Sequence, residues 1–177
     1  MNTRKKLTSF EEAVLPHLDA AYNLARWLTR NDADAHDVVQ EAYLRAFRFF
    51  SSFHGVDGRA WLLGIVRNTS YTWMQQNRSP SLSVPLDDEI YEIESNELNP
   101  EALLQQTTDG KMVREALETL PLEFREVLVL RELEEFSYKE IAHITGLPIG
   151  TVMSRLARGR KRLQQLLTNQ KYVEVQS

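Results

Sequence analysis

The sequence predicts an all-α chain: two small helical domains joined by a flexible acidic linker, the C-terminal domain a helix-turn-helix. Three observations carry that reading. Apolar residues recur at steps of three and four through most of the chain, and no stretch alternates as a strand would. That periodicity stops at residues 79–98, where Pro80, Pro85, serines and a run of acids from Asp87 to Glu97 take over. Two short periodic runs then flank Gly146-Leu147-Pro148, the arrangement of a helix-turn-helix. The expected divisions are 8–78 for the first domain, 79–99 for the linker and 100–168 for the second domain.

From Ser9 to Arg30, Phe10, Val14, Leu18, Ala21, Leu24, Ala25 and Leu28 keep helical spacing. Pro16 suits only a first turn, so the segment reads as one helix or as a helix that starts late. Asn31 to Asp34 breaks the pattern, with Asp34 the expected N-cap of a second helix from Ala35 to Phe50. Its apolar positions come in pairs, Val38/Val39, Ala42/Tyr43, Ala46/Phe47 and Phe49/Phe50. A stripe this broad can serve two neighbours, and Gln40, Glu41, Arg45 and Arg48 lie beside it. Most of its aromatics read simply as core.

His54 to Gly58 reads as a turn, and a third helix follows from Arg59 to Asn77, with Trp61, Leu62, Ile65 and Val66 inward. Its second half mixes Arg67, Asn68, Tyr71, Trp73, Gln75 and Arg78. Aromatic faces stack on splayed bases, amides reach base edges and basic groups meet phosphates. Two aromatics in a helix are nevertheless core residues more often than stacking platforms.

The acidic linker is a solvated spacer, or an extended strand suited to a basic channel of another protein. Asn99-Pro100-Glu101 restarts helix, with Leu103, Leu104, Val113, Ala116, Leu117 and Leu120 on one face and Gly110 a weak point. Leu120-Pro121 ends it. A helix from Leu122 to Leu133 is expected next, with Phe124, Val127, Leu128 and Leu130/Arg131 at core spacing.

Ser137 then offers an N-cap for a short helix bearing Tyr138, Ile141, Ala142 and Thr145, and Gly146 suits its left-handed end. The second helix of the pair runs from Gly150 or Thr151 to about Leu167, and the tail beyond is expected to fray. Val152, Leu156, Gly159 and Leu163 form its inner stripe. Thr151, Arg155, Arg158 and Arg162 repeat that spacing one residue earlier, roughly 100° round the axis. Ser154, Arg160 and Lys161 widen the polar surface. Such a helix fits the major groove, where Arg reaches guanine edges and Ser or Thr meets bases or phosphates. A basic helix end is also favoured by the helix dipole, with no DNA involved.

The net charge of −4 is unevenly spread. Residues 1–84 hold ten Lys/Arg against eight Asp/Glu, residues 85–135 four against fifteen, and residues 136–177 seven against two. Two neutral-to-basic ends therefore flank an acidic middle. The chain has no cysteine, which removes disulfides, thiolate zinc sites and thiol nucleophiles. The basic start is not followed by an apolar stretch, and nothing approaches the roughly 20 apolar residues of a membrane span. A soluble, cytoplasmic protein with no membrane insertion of its own is expected. His17, His36, His54 and His143 are scattered without ligand spacing, and no phosphate loop or nucleophile motif occurs. No cofactor, metal or enzymatic activity is expected.

Five segments together resemble the bacterial RNA polymerase sigma factors of the extracytoplasmic-function group. They are Asp34 to Tyr43, Ala60 to Asn68, Asn99-Pro100-Glu101, Leu120 to Glu126, and Tyr138 through Leu156, all in order and spanning about residues 10–167. The resemblance implies a subunit that binds core RNA polymerase, directs it to promoter DNA and is usually held by an anti-sigma factor. It implies that the helix bearing Asp37, Val38, Gln40, Glu41 and Arg45 docks on the polymerase clamp. It casts Arg67, Asn68, Tyr71 and Arg78 as readers of the −10 element. Thr151, Ser154, Arg155, Arg158 and Arg162 become readers of the −35 element, and the acidic linker would thread the polymerase's basic channel.

There is one departure: family members commonly carry an Asp four residues after the Asn68 position and then several arginines. Here stand Thr72 and Gln75-Gln76, with Arg78 alone, which predicts weaker melting or a shifted −10 preference. The rival readings are a stand-alone helix-turn-helix regulator, which leaves residues 1–78 without a purpose, and a helical recombinase, which needs a metal or nucleophile site. The Val38–Phe50 stripe is the surface expected to be covered by an anti-sigma factor.

Overall fold

A computed structural model describes residues 3–55, 57–77 and 108–176, which are helical apart from short connections. The chain divides into two compact units. The expected acidic linker, Asn99 to Glu101, Leu103, Leu104 and Arg78 lie outside the described residues.

In the first unit, α1 (Thr3–Val14) passes through a 3-10 turn (Leu15–His17) into α2 (Leu18–Thr29). The helix thus begins well before Ser9, and Pro16, which has no N–H to give, divides it rather than starting it. Arg30 takes a left-handed φ of 58° and donates its N–H to the Arg26 carbonyl at 2.9 Å, ending α2. Helix α3 (Asp32–Phe49) is capped by Asn31, whose side-chain oxygen accepts the Asp34 N–H at 2.9 Å. The cap is therefore Asn31 and not Asp34. Asp32 and Asp34 instead occupy the first turn, where carboxylates complement the helix dipole. Asp32 also accepts from Arg26 Nε at 2.6 Å, tying the end of α2 to the start of α3.

The broad stripe of α3 serves three neighbours, α1, α2 and α4, and all belong to this unit. Ala35, Val38, Ala42 and Ala46 are buried, and α3 packs on α2 and on α4 (Gly58–Asn77). Tyr43, Phe47 and the adjoining Phe50 instead surround Phe10 of α1 edge-on, with centroids 5.0, 5.2 and 5.4 Å away. Phe53 and Trp61 extend the cluster into α4, 5.0 Å apart. Edge-to-face pairs of this kind add about 0.5–1.5 kcal/mol each beyond their burial.

Asp57 caps α4, its Oδ1 accepting from the N–H groups of Arg59 and Ala60 at 3.1 and 3.2 Å. The inner face of α4 is Leu62, Leu63, Val66, Thr69 and Ser70, while Trp61 and Ile65 are only half-buried. Thr69 and Ser70 tolerate burial because their hydroxyls donate to the carbonyls one turn back, at 2.7 and 2.8 Å.

The C-terminal half of the chain carries α5 (Thr108–Thr119), α6 (Leu122–Leu128), α7 (Tyr138–Thr145) and α8 (Ile149–Gln176). Leu120-Pro121 closes α5 as expected, and the buried Arg125 donates to the carbonyls of Glu118 (3.1 Å) and Leu120 (2.8 Å) at its end. The helix expected over 122–133 is α only to Leu128. Val129–Leu133 is a π turn, with Glu134 N–H bonding five residues back to Val129 at 3.1 Å. Every residue from Phe124 to Leu130 is buried, more than one face of a 3.6-residue helix can supply, so α6 is the centre of its unit. Helix α8 continues past the expected end near Leu167 to Gln176, and no Gly or Pro interrupts the tail.

A Cβ built on Gly58 would stand 2.4 Å from the Ala13 carbonyl oxygen, a backbone atom that cannot swing aside. Gly58→Ala is expected to destabilise the first unit by about 1–3 kcal/mol in denaturant unfolding. An unchanged midpoint would show that α1 does not approach α4 this closely.

Candidate nucleic-acid interface

The helix-turn-helix is built from local chemistry. Ser137 and Glu140 form a reciprocal capping box: Glu140 N–H donates to Ser137 Oγ at 3.1 Å, and Ser137 N–H to Glu140 Oε1 at 3.2 Å. Gly146 ends α7 at φ 72°, in open space. Pro148 closes the turn, accepting the N–H groups of Thr151 and Val152 at 3.0 and 3.1 Å. Val152, Leu156, Gly159 and Leu163 are buried, joined by Leu166 and Leu167, so the inner stripe read from sequence is the packed one.

The polar face of α8 is less uniform than its sequence. Ser154 and Arg158 are exposed, as are Gly150, Ala157 and Lys161, giving a low outer ridge of small residues with cations beside it. Ser154 Oγ donates to the Thr151 carbonyl at 3.0 Å, and Thr151 itself is half-buried. Arg155 is half-buried, with a guanidinium nitrogen 3.7 Å from a Glu123 carboxylate oxygen of α6. Arg162 is turned onto the protein, its guanidinium 5.0 Å from the Phe124 ring centroid.

Arg160, on the opposite flank, donates twice to Glu132 Oε1, at 2.8 and 3.0 Å. Burial works against its charge, but the bonds to Glu132 and Tyr138 leave the guanidinium held above its ordinary pKa. The pair joins residues 28 apart and fixes α8 to the π turn. Arg131, within that turn, donates to the Phe136 carbonyl at 2.9 Å and lies over the Tyr138 ring. Sequence alone pointed to neither Glu123 nor Glu132; a carboxylate facing a basic helix is a tertiary fact.

The second polar surface is the later half of α4. Arg67 lies over the Tyr71 ring at 4.0 Å, and its Nη1 donates to Asn68 Oδ1 at 3.4 Å. Asn68 is exposed and Tyr71 half-buried, so these three form one local group on the surface of the helix. Gln75 and Gln76 are exposed one turn on.

On α3, Asp37 and Gln40 are exposed, while Glu41 accepts from Arg45 Nε at 3.0 Å as an i,i+4 pair. Val38 does not share this surface: it is fully buried on the inner face and cannot touch a partner. Leu44 and Phe49, 62% and 54% exposed, are the large apolar groups that α3 does show to solvent. Among the described residues no group of His, Asp or Glu is placed to hold a metal, and no helix is long and apolar enough to cross a membrane.

Comparison with known proteins finds Sigma-70 region 2 matching residues 13–79 and Sigma-70 region 4 matching residues 110–163. The chain is 33% identical over 171 residues to the ECF RNA polymerase sigma factor SigE of Mycolicibacterium smegmatis, covering 97% of this chain and 66% of that protein. It is 38% identical over 135 residues to the ECF RNA polymerase sigma-E factor of Escherichia coli K12, covering 72% of this chain and 71% of that one. Among solved structures, the sigma factor RpoE bound to the anti-sigma factor NepR from Bartonella quintana superposes with a TM-score of 0.69. The two are 33% identical, with 89% of this chain and 96% of that one covered. CnrH in complex with the cytosolic domain of CnrY shares the fold at a TM-score of 0.60 and 23% identity, over 97% and 91% of the two chains.

Proposed function

We infer the function from one premise: this chain belongs to the sigma-70 family, in its extracytoplasmic-function group. It acts as a non-enzymatic initiation factor that binds core RNA polymerase, directs it to specific promoters and opens the −10 element. The observation that carries this reading is the order of the two matched regions, with a polar helix face on each. A cytoplasmic location follows, since that is where such a polymerase works.

The roles divide by exposure. Arg158 and Ser154 of α8 stand outward for the −35 element, with Thr151 and Arg155 at their flank and Arg162 a support through Phe124. Arg67, Asn68 and Tyr71 suit the −10 element: Arg67 lies on the Tyr71 ring and donates to Asn68 Oδ1, which orients the exposed amide so that its NH2 can meet a splayed base. Asp37, Gln40 and the Glu41–Arg45 pair form the polymerase-facing side of α3. Val38 contributes only by fixing that helix on the core.

An anti-sigma factor is the proposed regulator, as the relative from Bartonella quintana is bound to one. With Val38, Ala42 and Ala46 buried, the surface left for it on α3 centres on Leu44 and Phe49. Replacing both by alanine is expected to weaken the anti-sigma complex at least tenfold by calorimetry; unaltered affinity would remove α3 from that interface.

Sigma-free core polymerase, the full chain and a promoter library test the main reading by sequencing of transcript starts. Defined starts with an upstream consensus are expected only when the chain is present. Retention of specific duplexes by the chain alone, with no starts, would instead establish a stand-alone regulator.

A further inference from the structure

Helix α8 carries five cations between Arg155 and Arg162, yet the protein treats them differently. Arg158 and Lys161 are exposed. Arg160 is spent on Glu132 and Arg162 lies on Phe124. Arg155 is intermediate: its side chain is 25% exposed and loosely paired at 3.7 Å with Glu123, itself 29% exposed. Glu123 stands in the first turn of α6, so its backbone is fixed by the buried run that follows.

We propose that Glu123 is a specificity-determining positioning residue, which holds Arg155 for a base edge and keeps it from neutralising phosphate. This rests on α8 being the −35 reader. Arg155 and Arg158 lie three residues apart, about 60° round the helix, so when Arg158 enters the groove Arg155 flanks it. A flanking arginine meets either the groove wall, where phosphates lie, or the edge of a neighbouring base. A carboxylate 3.7 Å away biases that choice. Swinging Arg155 to a phosphate abandons Glu123 and leaves a fixed negative charge beside the negative backbone. Reaching a guanine edge keeps both partners, because a guanidinium has five donors in a fork and Glu123 occupies only one side. Glu123 thus lowers affinity for DNA in general and leaves sequence to decide where the helix settles.

The test uses holoenzyme made from the full chain, competing a promoter duplex against the same duplex with a scrambled −35 element across a salt series. Glu123→Gln, nearly isosteric, is expected to tighten the scrambled duplex several-fold. It should steepen the salt slope by about one and reduce discrimination about tenfold. Glu123→Asp, which keeps the charge, should retain most of the discrimination. Adding Arg155→Ala to Glu123→Gln should abolish the gain on scrambled DNA.

An unchanged slope and discrimination in Glu123→Gln overturns the proposal. So does an equal loss on both duplexes with a lowered melting temperature, the mark of a merely structural residue. Arg158→Ala separates the two levels. If it lowers discrimination while Glu123→Gln changes nothing, only the role of Glu123 fails; if Arg158→Ala leaves discrimination intact, α8 is not the reader.

Discussion

The close approach of α8 to α6 is the constraint on which the geometry of the polar face of α8 depends. A Cβ on Gly159 would meet Leu128 Cδ1 at 3.1 Å and Phe124 Cβ at 3.3 Å, so the missing side chain is what lets the two helices lie together. Glycine in a helix interior costs about 1 kcal/mol relative to alanine, and here the burial of Phe124, Leu128, Leu156 and Leu163 offsets it. With Gly159 against α6, the rotation of α8 is fixed: its apolar stripe is inside, and Ser154 and Arg158 are outside. The Glu132–Arg160 pair sets the same rotation from the other flank.

The N-terminal unit solves a different problem with aromatic packing. Phe10 sits among Tyr43, Phe47 and Phe50, so α1 covers the second half of a stripe that α2 and α4 leave open. The consequence is functional. The polar side of α3 stands on a helix anchored along two faces, and the Arg67–Asn68–Tyr71 group stands on a helix anchored by Leu62, Leu63 and Val66. Recognition needs side chains held in register more than it needs affinity, and rigid helices supply that.

Much of this was legible in the sequence because the signals were local. Ser137, Gly146 and the spacing of Val152, Leu156 and Leu163 announce two helices and a turn without reference to any other part of the chain. What stayed hidden was tertiary. Asn31 and Asp34 are equally good capping types, and only the reach of the side chain to an N–H decides between them. The π turn after Leu128 leaves the apolar residues in register with a continuous helix, which is all that periodicity reports. The burial of Val38 and the seating of Arg162 on Phe124 were hidden for one reason: a stripe shows which residues share a face, and not which neighbour covers it. Among the described residues, the helical continuation to Gln176 buries none beyond Leu167, so no hydrophobic pattern marks it.

The central claim is that the two units read two separate promoter elements on behalf of one polymerase. It is tested most directly by selecting promoters from a randomised library with holoenzymes carrying Arg158→Ala or Asn68→Ala, and comparing the consensus with that of the unaltered chain. The account predicts that Arg158→Ala relaxes sequence only in the upstream element, by about 1–3 kcal/mol at the contacted base pair, and Asn68→Ala only in the downstream one. Relaxation of the same element by both substitutions, or of neither element by either, would contradict it.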